Sequence, residues 1–270
     1  MHGLGNDFVV LDGRASEISI SPAQAQAISD RRFGVGFDQL LIIKPALNPD
    51  ADIFMEILNA DGSAAEACGN GTRCVAALMM DESGAGAVNI ETVAGVLSAR
   101  RDDDGMVSVD MGPVGLQWSD IPLASAADTL HLDVEIGPLR DPVGVNIGNP
   151  HAVFFVDDAE AVDIETLGPQ LETHAMFPER ANIEVVSSLG PDKLRMRVWE
   201  RAVGITQACG SGACAVGVAA FRRGITSRRS EIVLDGGALF IEWREDGHVL
   251  MAGPTQTVYH GTLDPSLMAV

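Results

Sequence analysis

Two cysteines of this chain stand in matching surroundings. Cys68 lies in Ala67-Cys68-Gly69-Asn70-Gly71, and Cys209 lies in Ala208-Cys209-Gly210-Ser211-Gly212, 141 residues further on. Each precedes an apolar run of helical character, so each thiol is expected at a helix N-terminus, beside unpaired N–H groups and the positive end of the macrodipole. Both effects favour thiolate, and the expectation is a pKa one or more units below the usual value of about 8.5. The glycines let the backbone approach a ligand, and such a turn holds a carboxylate as readily as a phosphate. Two equivalent thiols serving one cleft suit proton transfer at carbon. One thiolate removes a proton from one face while the opposite thiol delivers a proton to the other, which inverts a stereocentre. The helix N-termini would hold the α-carboxylate and stabilise charge developing at the carbon.

Other chemistries fit these residues less well. Cys74 and Cys214 lie inside the apolar helices and read as core residues. The spacings C-x5-C and C-x4-C are not those of a zinc site, so no metal is expected. Pyridoxal phosphate needs a Schiff-base lysine, and the candidates are Lys44, ahead of Pro45, and Lys193, in a Gly-Pro-Asp turn. Neither is well placed, so no cofactor is expected. A thiol redox protein cycling through a Cys68–Cys209 disulfide and a non-catalytic carboxylate-binding protein stay open as alternatives.

The elements that must position these residues are written twice. Besides the cysteine motifs, Gly5-Asn6 matches Gly148-Asn149, Gln39 matches Asn182, Asn59 matches Glu200, and Gly112-Pro113 matches Gly253-Pro254, at offsets of 141 or 143. Ordered matches near one offset indicate a duplicated domain. Short Val/Ile/Leu runs bounded by Gly, Pro, Asn and Asp predict strands at Phe8–Leu11, Gln39–Ile43, Ile53–Leu58, Ile183–Val186 and Leu194–Trp199. Ser21-Pro22-Ala23-Gln24 opens a helix as a capping box with proline at its first position, and 164–173 is its counterpart. The helices after the cysteines, 71–80 and 212–221, are apolar on every face and must be enclosed. Each half is therefore expected to be a mainly antiparallel sheet around one central helix. The domains are expected at 1–114, with 255–270 as a candidate addition, and at 115–254. The stretch 115–138 belongs to neither repeat, and 257–259 is a candidate strand returning to the first half.

Composition bounds the partners. With 18 basic and 38 acidic residues the net charge is −20, which disfavours nucleic acid and an anionic membrane surface. A hydrophobic content of 46% supports a real core rather than disorder. Four cysteines are too few for a disulfide scaffold at this length and suggest a reducing compartment. The first residues do not read as a signal peptide, and the longest apolar stretch is far short of the roughly 20 residues that span a bilayer. A cytoplasmic protein is expected.

The segments His2–Phe8, Asn59–Ser63, Ala67–Cys74, Gly148–His151 and Glu200-Arg201 through Ala208–Ala215 resemble the diaminopimelate epimerases. The resemblance runs from residue 2 to about 260. It implies an α/β (α+β) fold of two pseudo-symmetric repeat domains, each a barrel-like sheet around a helix, usually as a homodimer. It also implies cofactor-independent, two-thiol interconversion of LL- and meso-diaminopimelate, on the route to lysine and peptidoglycan. Cys68 and Cys209 match the family's acid/base pair. Gly69-Asn70 and Gly210-Ser211 match the donors to the reacting carboxylate. Asn6, Gln39, Asn59, Asn149, Asn182, Glu200 and Arg201 match substrate-binding positions, while His151 and Glu200 match residues that tune the thiols. For the other histidines (His2, His131, His174, His248 and His260) no partner is legible. Ala202 and Ile205 depart from the family's Glu-Arg-Gly-x-Gly-Glu-Thr pattern near Cys209. A proline or hydroxyproline isomerase of the same fold is the nearest rival, but such a substrate leaves Asn59, Asn182 and Arg201 without a purpose.

Overall fold

The apolar runs fold as strands, and the polar and glycine-rich breaks between them become turns or crossover helices. The computed structural model describes residues 1–65 and 68–269, so Ala67 of the first cysteine motif and Val270 of the tail lie outside the described residues. Two compact units are present, residues 1–109 with the tail from Gly253, and residues 110–252.

In the first unit β1 (His2–Gly3) pairs antiparallel with β2 (Asn6–Asp12), and α1 (Pro22–Ser29) crosses to β3 (Gln39–Pro45), which lies parallel to β2. β4 (Ile53–Asn59) returns antiparallel to β3, carrying the two-residue β5 (Ala64–Ala65) on its edge. Helix α2 (Gly69–Ser83) then crosses to β6 (Ala87–Thr92), parallel to β4, and β7 (Gly95–Arg101) and β8 (Val107–Pro113) follow as an antiparallel meander.

The second unit opens with a small hairpin, β9 (Glu135–Ile136) with β10 (Leu139–Arg140), and with β11 (Val143–Asn146) antiparallel to β12 (Pro150–Phe155). From β12 the first unit's plan recurs. Helix α3 (Ile164–Glu172) crosses to the parallel β13 (Asn182–Gly190), and β14 (Lys193–Glu200) returns antiparallel with β15 (Gly204–Ile205) beside it. Helix α4 (Gly210–Arg222) crosses to the parallel β16 (Arg229–Leu234), and β17 (Gly237–Trp243) and β18 (His248–Gly253) complete the meander. The succession parallel, antiparallel, parallel, antiparallel, antiparallel is thus the same in both units, as a duplication requires. Each is a mixed, mainly antiparallel sheet of the α/β class. Helix α4 packs against β11, β12, β13, β14, β16 and β17, so its sheet wraps round it.

Local sequence explains the helices. Ser21 accepts from the Gln24 amide while the Gln24 side chain accepts from the Ser21 amide, which is the capping box expected there. Helices α2 and α4 start two residues earlier than their apolar runs, because Cys68 and Cys209 themselves are the N-caps. Helix α2 also extends through the polar Asp81-Glu82-Ser83, and it is not wholly apolar, since Arg73 is fully buried on it. Cys74 and Cys214 are fully buried, as expected of core residues. Segment 115–138 packs its Ile121, Leu123, Leu132 and Val134 into the second unit's core with Phe154, Leu171 and Ile183. Segment 257–259 forms no strand, and Val258 and Tyr259 are exposed. The two-residue β1 offers a short edge, and Gln256 bridges to it, exchanging backbone bonds of 2.9 and 3.0 Å with His2. Leu263, Leu267 and Met268 of the tail pack against the Ile28, Leu40 and Ile42 cluster.

Candidate active site

The first unit's thiol is held by its own helix. Cys68 Sγ accepts the Gly71 amide of α2 at 3.3 Å and donates to Asn6 Oδ1 at 3.9 Å. Asn70 Nδ2 donates to the same oxygen at 3.2 Å, so Asn6, Cys68 and Asn70 form one cluster. Gly5 makes it possible, since φ of 84° turns the chain from β1 so that Asn6 opens β2. Asn6 is steadied from behind, as its Nδ2 donates to Asp38 Oδ2 at 2.9 Å. Arg31 bonds both Asp38 and Asp7, at 2.7 to 2.8 Å. The Arg31 guanidinium holds the Asp7 carboxyl below the usual carboxylate range. At the paired ends of β3 and β4, Gln39 Nε2 donates to Asn59 Oδ1 at 3.0 Å, and Asn59 Nδ2 donates to Ser63 Oγ at 3.1 Å.

The second unit repeats the cap with different neighbours. Cys209 Sγ accepts the Gly212 amide at 3.4 Å and lies 3.6 Å from Ser211 Oγ, with 5% of the residue exposed. Gly148, with φ of 84° like Gly5, precedes Asn149. Asn149 Oδ1 lies 2.8 Å from His151 Nε2, and His151 Nδ1 lies 2.6 Å from Glu184 Oε1. Asn182 is a tie rod, since its Nδ2 donates to the Pro150 carbonyl at 2.9 Å and its Oδ1 accepts the Arg201 amide at 2.9 Å. Glu200, at the end of β14, accepts from the Thr206 hydroxyl and from Cys209. The Arg201 guanidinium donates to the Glu179 carbonyl at 3.3 Å and makes no ion pair with Glu200 among the described residues.

The expectation of a low thiol pKa fails at Cys209. Burial pushes this thiol well above its ordinary value, and the carboxylates of Glu200 and Glu184 push it further. The Ser211 hydroxyl and Gly212 amide pull the other way, but a cap bond and a helix end do not offset desolvation plus two anions. Burial likewise pushes the Glu200 carboxyl up, against the bonds from Thr206 and Cys209. Cys74, deep in its helix, is pushed by burial to about 12, which suits a core residue. Among the described residues none of the four cysteines is joined in a disulfide.

Several participants were not singled out from sequence. Asp38, Arg31 and Thr206 act only through tertiary contact and leave no local signal. Glu184 does leave one, as a lone acid inside the apolar run of β13. The histidines His131 and His248, for which no partner was legible, face Asp141 and Asp110 at 3.0 and 2.9 Å. Among the described residues no cluster of three His, Cys, Asp or Glu side chains is arranged to hold a metal.

Solved structures with this architecture include a hydroxyproline epimerase from Agrobacterium vitis with bound trans-4-hydroxy-L-proline, at a TM-score of 0.64 and 15% identity, covering 96% of this chain and 89% of the other. A phenazine biosynthesis protein from Bacillus anthracis matches at a TM-score of 0.62 and 15% identity, covering 94% and 91%. The fold is thus one shared by amino-acid epimerases and phenazine biosynthesis proteins, and at such identity the likeness is one of fold alone. Sequence narrows it. The family model for diaminopimelate epimerase matches residues 1–116 and 143–258. The diaminopimelate epimerase of Rhodospirillum centenum is 59% identical, covering 99% of this chain and 92% of the relative. That of Acidiphilium cryptum is 54% identical, covering 100% and 96%. The chain belongs to the diaminopimelate epimerase family, a family of isomerases.

Proposed function

We propose that this protein interconverts LL- and meso-2,6-diaminopimelate by a two-thiol, cofactor-independent mechanism, in lysine and peptidoglycan precursor synthesis. The observation that carries the reading is the duplicated cap, in which Cys68 and Cys209 each accept the amide three residues on in a helix enclosed by its own sheet. In one direction the Cys68 thiolate takes the α-proton and the Cys209 thiol supplies a proton to the opposite face; in the other the roles exchange. Gly69 and Asn70, with Gly210 and Ser211, offer first-turn donors to the reacting α-carboxylate, where negative charge gathers as the carbon is deprotonated.

The remaining polar groups recognise the distal amino-acid end and the reacting one. Asn6, Gln39, Asn59, Asn149 and Asn182 supply amide donors and acceptors, Glu200 pairs with an ammonium, and Arg201 pairs with the distal carboxylate in two parallel bonds. His151 and Glu200 tune the thiols. A substrate with an amino-acid group at each end gives all of these groups a partner. The enzyme works in the cytoplasm as a homodimer, with neither nucleic acid nor membrane as partner. Incubation with LL-diaminopimelate in D2O tests the reading, and deuterium is expected at the α-carbon. Exchange into proline without exchange into diaminopimelate would refute it.

A further inference from the structure

The two cysteine sites are built on one plan but stand on different floors. Under the first turn of α2, a Cβ placed on Gly71 would lie 3.1 Å from Leu41 Cδ1 and 3.4 Å from Cys68 Sγ. Under the first turn of α4, a Cβ placed on Gly212 would lie 2.9 Å from Glu184 Oε1 and 3.2 Å from Cys209 Sγ. Leu41 is the third residue of β3 and Glu184 the third of β13, so the two are counterparts in the repeat. The next strand shows the same exchange. Phe8 pairs in register with Gln39, and His151 pairs in register with Asn182. An apolar Phe8–Leu41 floor in the first unit is thus a hydrogen-bonded His151–Glu184 pair in the second.

Glu184 and His151 are both fully buried. One carboxylate oxygen is spent on His151 Nδ1, while Oε2 is buried and has no hydrogen-bond partner among the described residues. A buried acid is costly unless fully satisfied, and replacing such a pair by apolar residues is often neutral or stabilising. The first unit has that apolar replacement, so the fold does not require the pair.

We propose that Glu184 is a positioning residue that makes the two thiol sites inequivalent, fixing the His151 ring and setting a buried anion beneath the first turn of α4. The inference rests on the reading of Cys209 as an acid/base group. The ring, held at Nδ1, aims Nε2 at Asn149 and so sets which amide atom Asn149 presents on its other side. The charged and titratable groups acting on Cys209 are Glu184 from β13 and Glu200 from β14, with His151 from β12 acting on Glu200 in turn. Both carboxylates oppose the Cys209 thiolate. The second thiol therefore rests as a proton donor, and a neutral side chain at 184 removes one of the two charges that keep it so.

The experiment compares wild type with Glu184→Gln and Glu184→Leu in the full chain. Glu184→Gln keeps the volume and an oxygen for Nδ1–H, and Glu184→Leu copies the first unit. In Glu184→Gln the alkaline limb of kcat/KM is expected to move to lower pH by about one unit, the size of effect a close charge has on a titrating group. The ring-nitrogen NMR signals of His151 are expected to shift with it, and Glu184→Asp to restore both in part. An unchanged alkaline limb with unchanged His151 signals in Glu184→Gln overturns the proposal, even if Glu184→Leu fails to fold. Should wild type show no α-deuterium exchange, the proposed activity falls, whereas the His151 signals of Glu184→Gln still decide the role of Glu184.

Discussion

Cys68 and Cys209 occupy one local geometry twice, each being the N-cap whose sulfur accepts the third amide of its helix, from Gly71 at 3.3 Å and from Gly212 at 3.4 Å. A thiol so held cannot swing freely, which is what proton transfer to and from a carbon demands of its base. Serine at either position keeps the cap and removes the thiol. Cys68→Ser and Cys209→Ser are each expected to lower kcat for epimerisation by about 10²–10⁴-fold, the usual worth of a positioned acid or base. Unfolding midpoints should stay near wild type. Full activity in either variant would remove that thiol from the mechanism.

The environment of Cys209 fixes the sign of a pH effect. Burial and the two nearby carboxylates raise this thiol, so it loses its proton only at alkaline pH. Catalysis that uses Cys209 as the acid is expected to hold across neutral pH and to fall as pH rises through the raised value. Catalysis that uses Cys209 as the base is expected to gain with pH over the same range. Initial rates measured from LL- and from meso-substrate across pH reveal the difference as displaced limbs of kcat/KM.

Close packing under α4 makes Gly212 intolerant. A methyl group there would sit 2.8 Å from Met196 Cε and 2.9 Å from Glu184 Oε1. Gly212→Ala is expected to cost about 1–3 kcal/mol as an overpacked core and to depress kcat by displacing Glu184 and the cap. Gly71→Ala has its nearest contact at 3.1 Å, from Leu41 Cδ1, where a few tenths of an ångström of movement suffices, and should cost less. Urea midpoints and turnover of the two variants test the ranking.

Glu172 braces the turn that carries Arg201. Its carboxylate accepts from Trp199 Nε1 at 2.7 Å and from the Ala202 amide at 3.0 Å, where Ala202 has a φ of 63°. Burial raises this carboxyl, but the bonds from Trp199 and Ala202 and the charge of Arg180 prevail and lower it below 4.5. Its stabilising contribution is therefore complete above pH 4.5 and is lost as pH falls through the lower folded value. Glu172→Ala leaves both donors unpaired, with an expected loss of about 1–3 kcal/mol. It should also raise KM more than it lowers kcat. Urea unfolding at acidic and neutral pH, with steady-state kinetics, checks both.

Much of this arrangement was legible in the chain because the duplication aligns short motifs. The matched glycine–asparagine turns, the strand runs and the two capped helices lie where the repeat places them, since each depends on residues close in sequence. What stayed hidden depends on contacts across strands. Nothing local connects Arg31 with Asp38 and Asn6, or Glu172 with Ala202. The raised thiol of Cys209 is hidden for the same reason. A helix end is visible in sequence, whereas burial beside Glu184 and Glu200 arises only when β13 and β14 lie side by side. Glu184 was the one hidden participant with a local mark, an acid in a strand that is otherwise apolar around it.

The central claim, inversion by two separate thiols, is tested most directly by following isotope in the first turnovers of LL-diaminopimelate in D2O. Two thiols on opposite faces predict that newly formed meso-product carries solvent deuterium at the inverted carbon while unreacted LL-substrate remains protonated there. Product that keeps the substrate's own α-hydrogen would mean one group carries the proton from face to face, and would contradict the account.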